Sequence, residues 1–184
     1  MSILGSEEKA IAEAVVKALR EKIKEEAMKL IIEEAALKIG KYLRLMGKGF
    51  EIYKQTGVIV TEKLDGDEVK IYVVFKPPEW IEIRAKLVGS DEMPREAIKE
   101  CNVLETLMML SNDFAELSFC MDSDLNIYAK QNILVGALTF DVFKEEYDAV
   151  YISALIFRRE VLPKLKKCVR DYDEIKRTYS EMIT

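Results

Sequence analysis

The sequence predicts an α+β domain: an antiparallel sheet of about five strands flanked by helices, in the order α-β-β-β-α-β-β-α, with a long N-terminal helix. Three observations carry this expectation. Apolar residues recur about every four positions from Ser6 to about Met46, which is the period of a helix with one buried face. Between Val58 and Leu87 the apolar residues instead alternate every second position, the period of a strand. Residues that favour turns then punctuate the alternating segments: Asp65-Gly66, Pro77-Pro78 and Asp122-Ser123-Asp124.

The first helix is read from Ile11, Val15, Leu19 and Ile23, continued by Ala27, Ile31, Ala35, Ile39, Tyr42 and Met46. Ser6 can cap its start, and Glu13–Lys17, Glu25–Lys29 and Glu34–Lys38 are spaced as supporting ion pairs. Gly40 is its one weak interior point. About 40 residues is long for a helix of a small domain. Residues 1–30 are therefore expected to extend beyond the domain, and Ile11, Val15, Leu19 and Ile23 are expected to meet a second copy or a partner. Residues 31–170 form the domain proper, and the polar residues 171–184 form a tail expected to fray.

Val58 and Val60 open a short strand, and Asp65-Gly66 turns it into a second strand facing inward through Val69, Ile71, Val73 and Phe75. Two prolines lack N–H donors and end that strand at "KPPEW". Ile81, Ile83, Ala85 and Leu87 make a third strand of the meander. Pro94 suits the first turn of a helix bearing Ile98, Leu104, Leu107, Met108 and Leu110, which stops at "SNDF". Leu117, Phe119 and Met121 are expected to pair with Leu125, Ile127 and Ala129 across the Asp122–Asp124 turn. Thr139 caps the next helix, which Pro163 should restart as a shorter one.

Composition narrows the function. The chain contains no histidine, which removes the commonest general base and the commonest metal ligand together. Phosphate-binding glycine loops, nucleophile elbows and dinucleotide fingerprints are missing from the sequence. Cys101, Cys120 and Cys168 lie far apart in apolar patterns and are read as buried free thiols, with a disulfide or a reactive thiol as the alternatives. The start of the chain shows no basic stretch leading into an apolar one, so a cytoplasmic location without membrane attachment is expected. Glutamine and asparagine are scarce beside abundant Lys, Arg, Glu and Asp, a bias resembling proteins from hot environments. The net charge is −5, with 13 acidic and 4 basic residues over 91–150 and 8 basic and 4 acidic over 158–177. An acidic middle segment repels nucleic acid and favours basic clients. Lys164, Lys166, Lys167 and Arg170 are read as solvating a helix.

"SFCMDSDLNIYAK" is the most site-like stretch. Asp122, Asp124 and Asn126 match the first ligand positions of a calcium loop, but Ile127 and Ile133 stand where that loop needs glycine and a bidentate glutamate. A hairpin turn explains the residues better, so neither a metal nor a cofactor is expected. "PPEW" holds the only tryptophan in a stiff setting. Trp80, with Pro77, Pro78 and Tyr72, is the candidate partner-binding surface, because tryptophan buries much area at little entropic cost.

Over 31–165 the order of elements resembles the type III secretion chaperone-like fold, and more closely its YbjN-like branch. The segment that carries the resemblance is "LMMLSNDFAELSFCMDSDLNIYAKQNILVGALTFDVFKEEYDAV". It places Asn112 at a helix end, a strand over Leu117–Met121, a turn at Asp122–Asp124, a strand over Leu125–Lys130, and Leu138-Thr139 opening the last long helix. The resemblance implies a homodimeric, non-enzymatic binder of a protein or peptide. It supplies no catalytic residue. Two alternatives stand beside that expectation: a scaffold dimerising through its N-terminal helix, and a carboxylate-based enzyme.

Overall fold

The structure, a computed structural model, describes residues 6–53, 57–76, 78–89, 92, 98, 101–114 and 117–183 of the 184. Helix α1 (Ser6–Leu45) is continuous, including across Gly40. It leads into β1 (Glu51–Tyr53), β2 (Gly57–Leu64), β3 (Asp67–Lys76) and β4 (Trp80–Val88). Helix α2 (Val103–Asp113), β5 (Phe119–Met121) and β6 (Ile127–Leu134) follow. A 3-10 turn, Val135–Ala137, then precedes α3 (Phe140–Ile156). A π-helical turn, Phe157–Val161, carries α3 into α4 (Leu162–Ile183). Pro94 lies outside the described residues.

The sheet has six strands rather than about five, in the spatial order β1-β2-β3-β4-β6-β5, and every neighbouring pair is antiparallel. The added strand is β1, whose three residues are too few to show alternation in the sequence. Two hairpins follow the turn chemistry. Asp65 and Gly66 both have positive φ, 52° and 93°, which matches the twist of the flanking strands. The second turn pairs Phe119 with Ala129 and Met121 with Ile127.

The strands alternate through most of their length, with a register shift between Lys86 and Val88. Val69, Ile71, Val73 and Phe75 of β3, Ile81, Ile83, Ala85 and Leu87 of β4, and Ile127, Ala129 and Ile133 of β6 are buried on one face. The helices stand on that face and contribute Ala35, Ile39 and Leu43 from α1, Val103 and Leu107 from α2, Phe143, Tyr147 and Val150 from α3, and Leu165 from α4. Each large side chain buried there contributes about 1.5–3 kcal/mol. The other face carries Tyr72, Trp80, Arg84 and Lys130, and Arg158, Leu162 and Lys166 border it at the Lys70 and Lys86 end.

Two corrections concern individual elements. The buried stripe of α1 runs through Ala35, Ile39 and Leu43 with Ile32, Tyr42 and Met46 beside it, so Ile31 and Ala27 are exposed. The 3.6-residue turn drifts away from a strict four-residue repeat, which moves the contact from Ile31 to Ile32. Residues 171–183 of the polar stretch lie within α4, which runs to Ile183. Cys101 and Cys168 are not free thiols: they form a disulfide, with Cα atoms 6.0 Å apart, between the start of α2 and the middle of α4. Their separation of 67 residues hid the pairing. Cys120 remains free, and burial pushes its thiol up.

Candidate binding surfaces

An open groove runs between the second half of α1 and strands β1 to β3, with a volume of about 610 Å³. Its walls are mainly apolar, with Ile32, Ala36 and Leu37 on the helix, Phe50 and Ile52 at β1, and Val58, Val73 and Phe75 on the sheet, while Glu33, Lys41 and Arg44 also line it. Gly40 permits the close approach of Phe50, whose ring would stand 3.3 Å from any Cβ added there. Leu37 and Ile52 are the most exposed of these, at 76% and 82%. Their exposure follows from geometry. β1 extends the sheet one strand beyond the helix that covers β2 and β3, so Ile52 projects on the apolar face with nothing described above it. As an edge strand, β1 also offers backbone groups to an added strand.

A second groove of about 670 Å³ lies on the opposite flank of α1, lined by Ile31, Ala35, Pro78 and Leu134 to Leu138. The predicted partner-binding residues do not converge on either groove as a group. Pro78 lines the second. Trp80 opens β4, 44% exposed, in register with Lys76 and Leu134 on the uncovered sheet face. Tyr72 shares that face, its ring edge-on to Tyr53 at 5.1 Å. Pro77 lies outside the described residues. Ile11, Val15, Leu19 and Ile23 are 64%, 53%, 54% and 65% exposed along the first half of α1. The apolar groove was missed because Ile52 and Leu37 come from different elements and neither belongs to a periodic run. Closer attention to "GFEIY", apolar residues just before a strand edge, was the available signal.

Two polar arrangements sit near these surfaces. Glu62 points into the apolar layer, where it accepts a 2.7 Å hydrogen bond from the Tyr147 hydroxyl and pairs with Lys48 Nζ at 2.7 Å. Lys48 lies over the rings of Tyr147 and Tyr151. Burial, reinforced by the Glu62 bond, drives the Tyr147 phenol far above its ordinary value of 10.0. This network ties the chain leaving α1 to the sheet and α3. It is a strut rather than a reactive centre, because the phenol is held protonated and the carboxylate is already engaged.

The Asp122 carboxylate is likewise engaged by its own turn. It accepts from the backbone of Asp124 and Asn126, the Asn126 amide and the Tyr128 hydroxyl, at 2.9 to 3.1 Å. Those bonds, the Asn126 side chain first, hold its carboxyl below the ordinary range. The "SFCMDSDLNIYAK" stretch is a self-satisfied turn. Across the sheet, Arg159 grips Asp65 with two 2.7 Å bonds and Arg158 reaches Asp67. The π-helical turn aims both arginines at the β2–β3 hairpin while easing the helix past Pro163.

With this geometry, comparison with solved structures becomes informative. A chain of the crystal structure of the ExsC–ExsE complex matches 71% of this chain and 95% of its own, at 15% identity and a TM-score of 0.51. The two chains share a fold. An uncharacterised protein from Methanothermobacter thermautotrophicus matches 72% of this chain and 97% of its own, at 18% identity and a TM-score of 0.49. No protein-family profile matches the sequence, and no curated protein does. Among the described residues, no helix is long and apolar enough to cross a membrane. The shared fold covers 71% of this chain. It sets the groove and the open sheet face on a common scaffold.

Proposed function

We propose that this chain is a non-enzymatic protein-binding protein, chaperone-like or adaptor in type, that holds an apolar peptide segment of a partner in the groove between α1 and β1. The carrying observation is that groove itself: mainly apolar walls, exposed Leu37 and Ile52, and a free strand edge alongside. A peptide laid there can add to β1 through its backbone and place alternate side chains against Val58 and Phe75. The likeness to a chain of the ExsC–ExsE complex supports this reading through the fold. The YbjN-like branch is the finer assignment we favour, on the spacing from Asn112 to Thr139.

The test is suppression of the aggregation of reduced insulin B chain, followed by light scattering. The wild-type chain should delay aggregation, and a Leu37→Asp/Ile52→Asp variant should lose most of that effect. Both positions are so exposed that folding is expected to survive. Equal suppression by the variant, or none by the wild type, would remove the groove from the function.

A second reading has its own support. Ile11, Val15, Leu19 and Ile23 form a continuous apolar stripe standing in solvent. The reading is a homodimer, or a scaffold, assembled through the first half of α1. Sedimentation of the chain lacking residues 6–30 discriminates: a dimer that persists without them sinks it. We further place the protein in the cytoplasm of a heat-adapted cell. The scarcity of Gln and Asn supports the heat adaptation, and a cytoplasmic Cys101–Cys168 disulfide requires it, since intracellular disulfides are common only in such organisms.

A further inference from the structure

The uncovered face of the sheet carries a charge opposite to that of the whole chain. Along β3, β4 and β6 it presents Lys70, Lys76, Arg84, Lys86 and Lys130 against two acids, Glu82 and Glu68. The protein as a whole is at −5. At the hairpin end, Lys63 and Glu68 are register partners and cancel.

Glu82 organises this surface. Its side chain is only 7% exposed, although it projects on the open face. Arg84 Nη1 lies 3.2 Å from Oε1, Lys130 Nζ 3.1 Å from Oε2, and Lys76 Nζ 3.8 Å from Oε1. One carboxylate thus gathers three cations that would otherwise repel one another, and leaves the cluster with a net excess of two positive charges. Oε1 forms no hydrogen bond of good geometry, so charge alone holds Arg84 and Lys76 beside it. The cations keep contact with water, with Arg84 33%, Lys130 34% and Lys76 51% exposed. At the end of the face, Trp80 and Leu134 are paired across β4 and β6 and are both exposed. An apolar anchor therefore adjoins the cationic field.

We propose that this face docks an acidic peptide segment of a partner protein, with its carboxylates on Arg84, Lys130 and Lys86 and an apolar side chain against Trp80. The proposal rests on the protein-binding reading above, and it names the chemistry of a second contact of that partner. It also revises the expectation of basic clients: the acidity that suggested them does not lie on this face. Charge complementarity of this kind steers encounter and sets partner choice more than it adds affinity. A peptide suits the surface better than a nucleic acid strand does. The Tyr72 ring is already engaged by Tyr53 in a T-shaped contact, and the Arg84 guanidinium lies over the Tyr128 ring at 5.6 Å, so each is partly occupied against stacking on bases.

Fluorescence anisotropy tests this with a labelled peptide alternating glutamate with leucine, its lysine–leucine counterpart, and an oligodeoxythymidine. The wild-type chain should prefer the glutamate peptide by about tenfold or more, with binding that weakens as salt rises. The Lys70→Glu/Lys86→Glu variant alters two exposed positions away from Glu82, so it should fold and should lose or reverse that preference. Trp80→Ala should weaken the glutamate peptide. The inference falls if the wild type shows no preference, if the preference survives in a folded double-glutamate variant, or if the oligonucleotide binds more tightly. Should Leu37→Asp/Ile52→Asp abolish glutamate-peptide binding while the sheet variant does not, the peptide occupies the groove. The proposed function then stands and this inference alone is overturned.

Discussion

The two halves of α1 share a repeat, a composition and one unbroken axis, yet only one is part of the core. Ile39 and Leu43 are 2% and 0% exposed, whereas Leu19 and Ile23 are 54% and 65% exposed. Periodicity establishes that a helix has an apolar face. Whether that face is covered depends on where the sheet lies, and the sheet ends beneath the second half. The same contrast recurs between the two faces of the sheet: one is packed by every described helix, while the other carries a buried carboxylate ringed by cations.

The largest expected effect comes from the covalent tie that fixes α4 to the start of α2. Replacing Cys101 and Cys168 by serine should lower stability by about 3–5 kcal/mol, from the entropy regained by a loop of this length. Urea unfolding under non-reducing conditions measures it, and a loss near zero would show that packing of α4 alone suffices. Next is the contrast within α1. Leu43→Ala should cost about 2–5 kcal/mol, and Leu19→Ala within about 0.5 kcal/mol in the dissociated chain. A Leu19→Ala cost that grows with protein concentration would show the distal half to be covered in an assembly.

The smallest effect is pH-linked. Because the Tyr147 phenol titrates far above 10.0 when folded, the unfolded chain alone ionises it as pH climbs past that value. The sign is therefore fixed. The Tyr147 contribution is fully present below pH 10 and declines above it as the unfolded state becomes favoured. Tyr147→Phe should cost about 1–3 kcal/mol near neutrality by stranding Glu62. The gap between variant and wild type should narrow in alkali. Parallel melting curves across that range would refute the account.

Much of the fold was readable because local chemistry sufficed. Asp65-Gly66 could only be a tight hairpin, the residues around Asp122 satisfy each other within a single turn, and Thr139 accepts from the Val142 backbone as a cap should. The binding surfaces were less legible. Trp80 and Tyr72 attracted attention as aromatic residues in strands, but the cations around them belong to three strands, and the groove combines a helix with an edge strand.

By itself the sequence determined most of the elements, the hairpin turns and the inward side of the longer strands, since these follow from interactions a few residues apart. Tertiary structure alone decided that β6 inserts beside β4 and leaves β5 at the edge. It also decided that Cys101 meets Cys168, and that Glu82 collects Lys76, Arg84 and Lys130. Such contacts join residues far apart in the chain, and their partners become defined only once burial of the shared apolar layer has fixed the order of the strands.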